Sequence, residues 1–317
     1  MKYLRTLKGV LLAAVIGLAG TSLSAQEFPT DDIQFIVPYS AGGGQDRWAR
    51  VIASGGFTEF GHPINVEVRP GASGTVGWRY VLDQPADGYT MFIGSLTPMI
   101  SVMSEDGAPM SVDDVKIVSI VSDFNSHLIV KNDSDIAAWA SIKAFAAENP
   151  GALTVGGTLS QTLAAASVFS QAGLEVNLIP YPGTSAAVTD MLGGHINVAV
   201  GTPATVTSLV GEAKPVLNLG ARPNPESLIK KIGEVPWVGD MGMTGVSQPR
   251  FIGVHPDTPD QIITRLDAGL SNILEDKSIA RLIRSIGEQV IYSGHKDAQT
   301  TYDQLKAVIE SNLPLLR

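Results

Sequence analysis

"FIVPYSAGGGQDRWAR", residues 35–50, decides the fold. Ile33 to Val37 reads as a buried strand. A proline and small residues follow, ending in Gly42, Gly43 and Gly44. Asp46 then opens a helix with Trp48, Val51 and Ile52 on one face, and Gly55-Gly56 reads as its stop. Three glycines between a strand and a helix suggest that the bare backbone itself has a use.

The pattern continues outward from this stretch. Ile64 to Val68 alternates apolar and polar residues as a strand does. "RPGASGTVGWRYVL" (69–82) is a second glycine turn running into a second helix, and "PADGYTMFIGS" (85–95) is a turn followed by a strand. The order βαβαβ predicts a mainly parallel sheet with helices on both faces. The middle of the chain repeats it. Strands are expected at 117–121, 127–130, 153–155, 176–180, 196–200 and 216–219, with helices between. Near the end Thr258 is expected to cap a helix, with Pro259 at its first position and Ile262, Ile263, Leu266, Leu270, Ile273 and Leu274 as a core stripe. The expected organisation is α/β with two lobes. Lobe I takes residues 26–123 plus 222–317 and lobe II takes 124–221. The chain crosses near 121–126, returns near 217–223, and leaves a cleft between the lobes.

The N-terminus reads as a signal peptide, residues 1–25. Lys2, Arg5 and Lys8 precede an apolar run from Val10 to Ala19, and small residues follow. A run of that length is shorter than the roughly 20 residues that cross a bilayer. The chain has no cysteine, which excludes disulfides, thiolate metal sites, a cysteine nucleophile and a lipidated N-terminal cysteine. Cleavage takes three of the 22 basic residues and none of the 31 acidic ones, moving the net charge from −9 to −12. Such a surface repels nucleic acid and anionic lipid. The expectation is a freely diffusing periplasmic monomer.

Turns of one composition recur at strand-to-helix junctions: 39–45, 71–75, 156–160 and 181–185. The first N–H groups of a helix have no partner within it, and the peptide dipoles leave about +0.5 charge there. Glycine lets an anion approach, and Ser and Thr add donors. Loops after parallel strands gather at one sheet edge, where α/β ligands bind. One such loop alone is best read as a tight turn; four alike point to a shared anion site. Asp46 is better read as a cap on backbone N–H groups than as a ligand contact.

Enzyme and cofactor motifs fail on spacing. Gly42 and Gly44 begin a dinucleotide fingerprint, but Arg47 stands at its last glycine. There is no phosphate loop, no Gly-x-Ser-x-Gly elbow, and the five histidines are scattered, so no cofactor or metal is expected. His127 and His195 read as structural or surface residues.

Val37-Pro38-Tyr39-Ser40-Ala41-Gly42-Gly43 with Asp46 and Arg50, then Arg69 to Gly74, then Asp87-Gly88-Tyr89-Thr90, then Tyr181, Gly183, Asp190, Leu192, Gly193 and Gly194 lie in one register. In these four blocks the chain resembles the solute-binding proteins of tripartite tricarboxylate transporters, the Bug-type receptors. The resemblance implies a two-lobed periplasmic binding protein, type II-like, that closes on a small carboxylate and presents it to a membrane permease. It places one carboxylate on Tyr39, Ser40, Ala41, Gly42 and Gly43 and on Ser73, Gly74 and Thr75. Thr158, Ser160, Tyr181, Thr184 and Thr202 of the second lobe then close over the ligand, with Thr97 as a further contact. Val68, His195 and Asn197 depart from the family's usual residues, which leaves the particular carboxylate open. Delivery to a membrane kinase as a sensor subunit reads no differently in the sequence. An exported hydrolase or lyase would need a nucleophile or base with an orienting partner, and none stands out.

Overall fold

The computed structural model describes residues 28–103, 108, 110–111 and 114–312, so the expected signal segment 1–25 lies outside the described residues. Ten strands are present among them: β1 (Ile33–Val37), β2 (Ile64–Val68), β3 (Thr90–Ser95), β4 (Lys116–Asp123), β5 (His127–Lys131), β6 (Thr154–Gly157), β7 (Asn177–Pro180), β8 (Val198–Gly201), β9 (Ala213–Asn218) and β10 (Pro249–Val254). They form two five-stranded sheets, ordered β2-β1-β3-β10-β4 and β7-β6-β8-β5-β9. β1, β2 and β3 run parallel, as do β6, β7 and β8. One strand in each sheet, β10 or β5, runs against both of its neighbours. Each sheet is therefore mixed but mainly parallel, in two α/β lobes.

β1 sits between β2 and β3, and Phe35, Ile36 and Val37 are fully buried. That is why the stretch is apolar without alternation: helices cover both faces of a central parallel strand. The helix after it, Gly44–Phe60, does not stop at Gly55-Gly56 as expected. A Cβ on Gly55 would press on Ile273 and one on Gly56 on Ile64. These glycines let the helix lie close on the sheet and on a neighbouring helix, and the stop comes at Gly61, whose φ is +72°.

Thr258 likewise does not cap the late helix. That helix is Asp260–Glu275, with Pro259 at its N-cap and no side-chain cap bond. Its stripe is as expected, with Ile263, Leu266, Leu270, Ile273 and Leu274 buried. β10, in the interior of the first sheet, was not foreseen from the sequence.

Two segments join the lobes. The first runs from Asp123 to His127, between β4 and β5. The second comes later than the expected 217–223. Trp237, Val238, Met243 and Val246 all pack on the second core, and Val246 pairs with Gly220. The return therefore falls between Val246 and Pro249, and residues 236–246 belong with lobe II. Asp123 fastens the two segments together. One carboxylate oxygen accepts from the Gln248 backbone N–H at 2.8 Å and the other from the Ser247 hydroxyl at 2.9 Å. Gln248, fully buried, donates to the Ser126 hydroxyl at 2.9 Å. Among the described residues no helix is long and apolar enough to cross a membrane.

Candidate functional site

The turn after β1 is held by its own residues. Gly42 takes φ +75°, a region glycine enters without steric cost. Its N–H donates to Asp46 Oδ2 at 2.8 Å, and Arg50 pairs with Asp46 Oδ1 at 3.0 Å. Asp46 thus caps the turn, as its position suggested, and is 3% exposed. Gly43 N–H donates to Ser40 O at 3.3 Å and Arg47 Nε to Gly42 O at 3.0 Å.

This turn faces three turns of lobe II across a cleft that stands closed. Ser185 Oγ donates to Ala41 O at 3.1 Å from one lobe to the other. Gly183 lies so close to Ser40 that any Cβ there would overlap it, and a Cβ on Gly44 would press on Thr202. Between the lobes is a cavity of about 20 Å³, little more than the space of one water-sized group. Lobe I lines it with Tyr39, Ser40, Gly43, Gly44, Gln45 and Ser95. Phe124 enters from the first crossing segment, and lobe II supplies Thr158, Ser160, Gln161, Thr184 and Thr202. Not one of these side chains carries a formal charge. The cavity is a set of neutral donors at the carboxyl ends of parallel strands, suited to an acceptor-rich ligand and unable by itself to balance a charge with a charge.

Lobe II ties its share into a network. At the start of the helix Leu159–Gln171, Gln161 Oε1 reaches back and accepts from the Thr158 N–H at 2.9 Å. Gln161 Nε2 donates to Thr184 Oγ1 at 2.8 Å, joining two turns. Thr202 caps the helix Pro203–Ser208. On the lobe I side two buried hydroxyls, Tyr39 OH and Ser95 Oγ, have no side-chain hydrogen-bond partner among the described residues. Burial pushes the Tyr39 phenol well above its ordinary range, offset only in part by the nearby Ser95 backbone N–H, so it stays a neutral donor. Unpartnered buried hydroxyls are costly, and a ligand oxygen is a natural partner.

Of the residues expected from the sequence, Tyr39, Ser40, Gly43, Thr158, Ser160, Thr184 and Thr202 meet at this cavity. Ala41 and Gly42 lie in the same turn, Ala41 engaged through its carbonyl with Ser185. Gly74 and Thr75 of the second glycine turn are not among the cavity-lining residues. The backbone of Ser73 belongs to the short helix Ala72–Gly74, Gly74 packs on Trp78, and Thr75 Oγ1 donates to Ala72 O at 2.8 Å. Thr97 donates to Ser247 O at 3.3 Å beside the second crossing segment. Tyr181 is committed elsewhere: its hydroxyl donates to Asp190 Oδ2 at 2.6 Å, and burial with that carboxylate pushes its ionisation up to about 12. Sequence reasoning missed Gly44, Gln45, Ser95, Phe124 and Gln161. Gln161 was legible as the last residue of a capping box, and Gln45 as the only long polar side chain in the first turn. Ser95 and Phe124 carried no signal, because the return of β10 and the crossing segment bring them to the cleft.

His127, fully buried where β5 meets Gly201 of β8, bonds through Nε2 to Asn224 Oδ1 at 2.8 Å. Burial lowers its pKa to about 4, so it is neutral and structural. Among the described residues no group of three His, Cys, Asp or Glu could hold a metal ion.

Similarity to known proteins agrees with this architecture. The model of the tripartite tricarboxylate transporter family receptor matches residues 48–311. Protein BugT of Bordetella pertussis is 30% identical over 294 residues, spanning 87% of this chain and 88% of BugT. Among solved structures, the periplasmic binding protein BugD has a TM-score of 0.80 at 19% identity, over 90% of this chain and 97% of BugD. The R. palustris protein Rpa4515, solved with adipate, has a TM-score of 0.79 at 24% identity, over 90% of this chain and 96% of that one.

Proposed function

Because the chain belongs to the tripartite tricarboxylate transporter receptor family, we propose that it is an exported binding protein that captures a small carboxylate between its lobes in the periplasm and hands it to a membrane permease. The observation that carries this reading is the closed cleft: two lobes in direct contact over a cavity lined, among the described residues, by neutral hydrogen-bond donors and by Phe124. The solved likeness with adipate bound supports a carboxylate as the class of ligand.

In this reading the lobes part about the two segments at 123–127 and 246–249. A carboxylate displaces the water between them and meets the backbone of the 39–44 turn and the free hydroxyls of Tyr39 and Ser95. Thr158, Ser160, Thr184 and Thr202 then close from the other side. Ala41, Gly42 and the 73–75 turn shape the first wall from behind. Closure is driven only by contacts that the ligand makes with both lobes at once. The closed surface is what the permease receives, from a single chain.

The test is thermal unfolding with a panel of acetate, malate, adipate, citrate, benzoate and glutamate. A ligand at 100 times its dissociation constant adds about 2.7 kcal/mol of stability. Gly183→Val puts a side chain against Ser40 only when the lobes close. Its backbone φ of −175° admits any residue, so the variant folds and its ligand-induced shift is lost. A panel with no shift in the wild type would sink the carboxylate reading.

A further inference from the structure

Behind the lobe I wall lies a buried charge cluster that capture as described above does not use. Arg250 on β10 is 0% exposed, and Glu288 is 4% exposed. Glu288 Oε2 accepts from Arg250 Nη1 at 2.5 Å and from Trp48 Nε1 at 2.6 Å. Arg250 Nη1 also donates to Ser122 Oγ, and its Nε donates to Gln45 Oε1 at 2.7 Å. The guanidinium lies 4.8 Å from the Trp48 ring and 4.6 Å from the Phe124 ring. Burial lowers the Arg250 pKa, and the neighbouring Glu288 carboxylate opposes that shift.

Arginine has only donors. Whatever lies 2.7 Å from Arg250 Nε must be an acceptor, so the carboxamide of Gln45 can take only one orientation. Its oxygen points back to Arg250, and its NH₂ group is left for the cavity that Gln45 lines. Among the described residues nothing accepts from that NH₂. Gln45 is 9% exposed, so bulk water does not serve it freely either. A cation bonded to an amide oxygen also withdraws electrons from the amide nitrogen, which strengthens its N–H donors.

We propose that Gln45 is a ligand-contacting donor in the cleft and that Arg250, held by Glu288, is the positioning residue that fixes its orientation and polarises it. The device carries positive character to the ligand without placing a charged group in the cleft. It accepts only an acceptor at that position, such as a carboxylate oxygen, and disfavours an ammonium or an amide nitrogen. This inference rests on the carboxylate reading above and sharpens it.

The test uses the full mature chain and the panel member giving the largest thermal shift in the wild type. Gln45→Glu keeps the bond to Arg250 but offers the cleft only lone pairs and negative charge. The unliganded variant should melt within a few degrees of the wild type, and its affinity should fall at least roughly tenfold, the scale of one charge-assisted hydrogen bond. Arg250→Lys keeps the charge beside Glu288 but cannot reach Gln45, Ser122 and Glu288 together. In ¹⁵N spectra the Gln45 side-chain NH₂ signal, assigned by its loss in Gln45→Met, should move on titration with that ligand in the wild type and much less in Arg250→Lys. A purely structural Arg250 would not alter that signal. If wild type and Gln45→Glu bind the same carboxylate equally, or if the Gln45 signal does not respond to a bound ligand, the inference is overturned while capture stands. If no panel member binds the wild type, both fall.

Discussion

The two walls of the cleft reach similar surfaces by different chemistry. Lobe I backs its turn with buried ions: Asp46 caps the Gly42 N–H, and Arg250 and Glu288 lie behind Gln45. Where lobe II lines the cavity it uses neutral groups, with Gln161 bridging Thr158 and Thr184, and with neutral His127 beside the strand that leads into Thr202. Charged groups out of water are costly to bury and rigid once paired. Neutral hydroxyls cost less and can exchange partners. The difference suits a fixed wall that selects the ligand and a second wall that adapts to the rest of it.

Breaking the charged wall gives the largest effect. Arg250→Met leaves Glu288 buried without its partner and should cost about 3–5 kcal/mol in urea unfolding. Adding Glu288→Gln to that variant should recover a substantial part, since the penalty comes from the unpaired charge and not from lost attraction. Equal losses in the single and the double variant would place the stability of this wall in packing alone.

Acid tests the neutral wall next. His127 titrates near 6.5 when unfolded and near 4 when folded. Between those values the unfolded chain binds a proton that the folded chain refuses, so stability falls as pH drops through the window. The contribution is complete above about 6.5, and up to about 3 kcal/mol of it is gone below about 4. His127→Gln should flatten this part of the pH profile in chemical denaturation. A variant that keeps the full slope would remove His127 as its cause.

The smallest effect sharpens the comparison within lobe II. Thr184→Val deletes both hydrogen bonds to Gln161 and should cost about 1–2 kcal/mol. That loss, read by urea midpoint at constant slope, is well below the Arg250→Met loss. A Thr184→Val loss as large as that of Arg250→Met would erase the contrast between the walls.

Much of this was legible in the residue pattern, because local rules governed it. The apolar stretch 33–37 reads as a doubly covered strand, and the repeat of strand, small-residue turn and helix pointed to mainly parallel sheets. The capping role of Asp46 followed from its place at a helix start. Other readings failed where a distant partner overruled the local signal. Gly55-Gly56 looks like a stop, yet Ile64 and Ile273 need the space that those glycines leave. The apolar residues at 237–246 follow the expected return and so read as lobe I, yet Trp237, Val238, Met243 and Val246 pack on the second core.

The sequence by itself determined that this chain is α/β and that its strands carry glycine-rich turns at one edge. Periodicity and turn composition act over a few residues, so they survive in a linear reading. Only the tertiary structure decided that β10 enters the first sheet antiparallel and brings Arg250 behind Gln45, 205 positions away along the chain. A hydrogen bond between residues so far apart leaves no trace in local pattern. It exists because the second crossing returns the chain beside the first and lays its strand between β3 and β4.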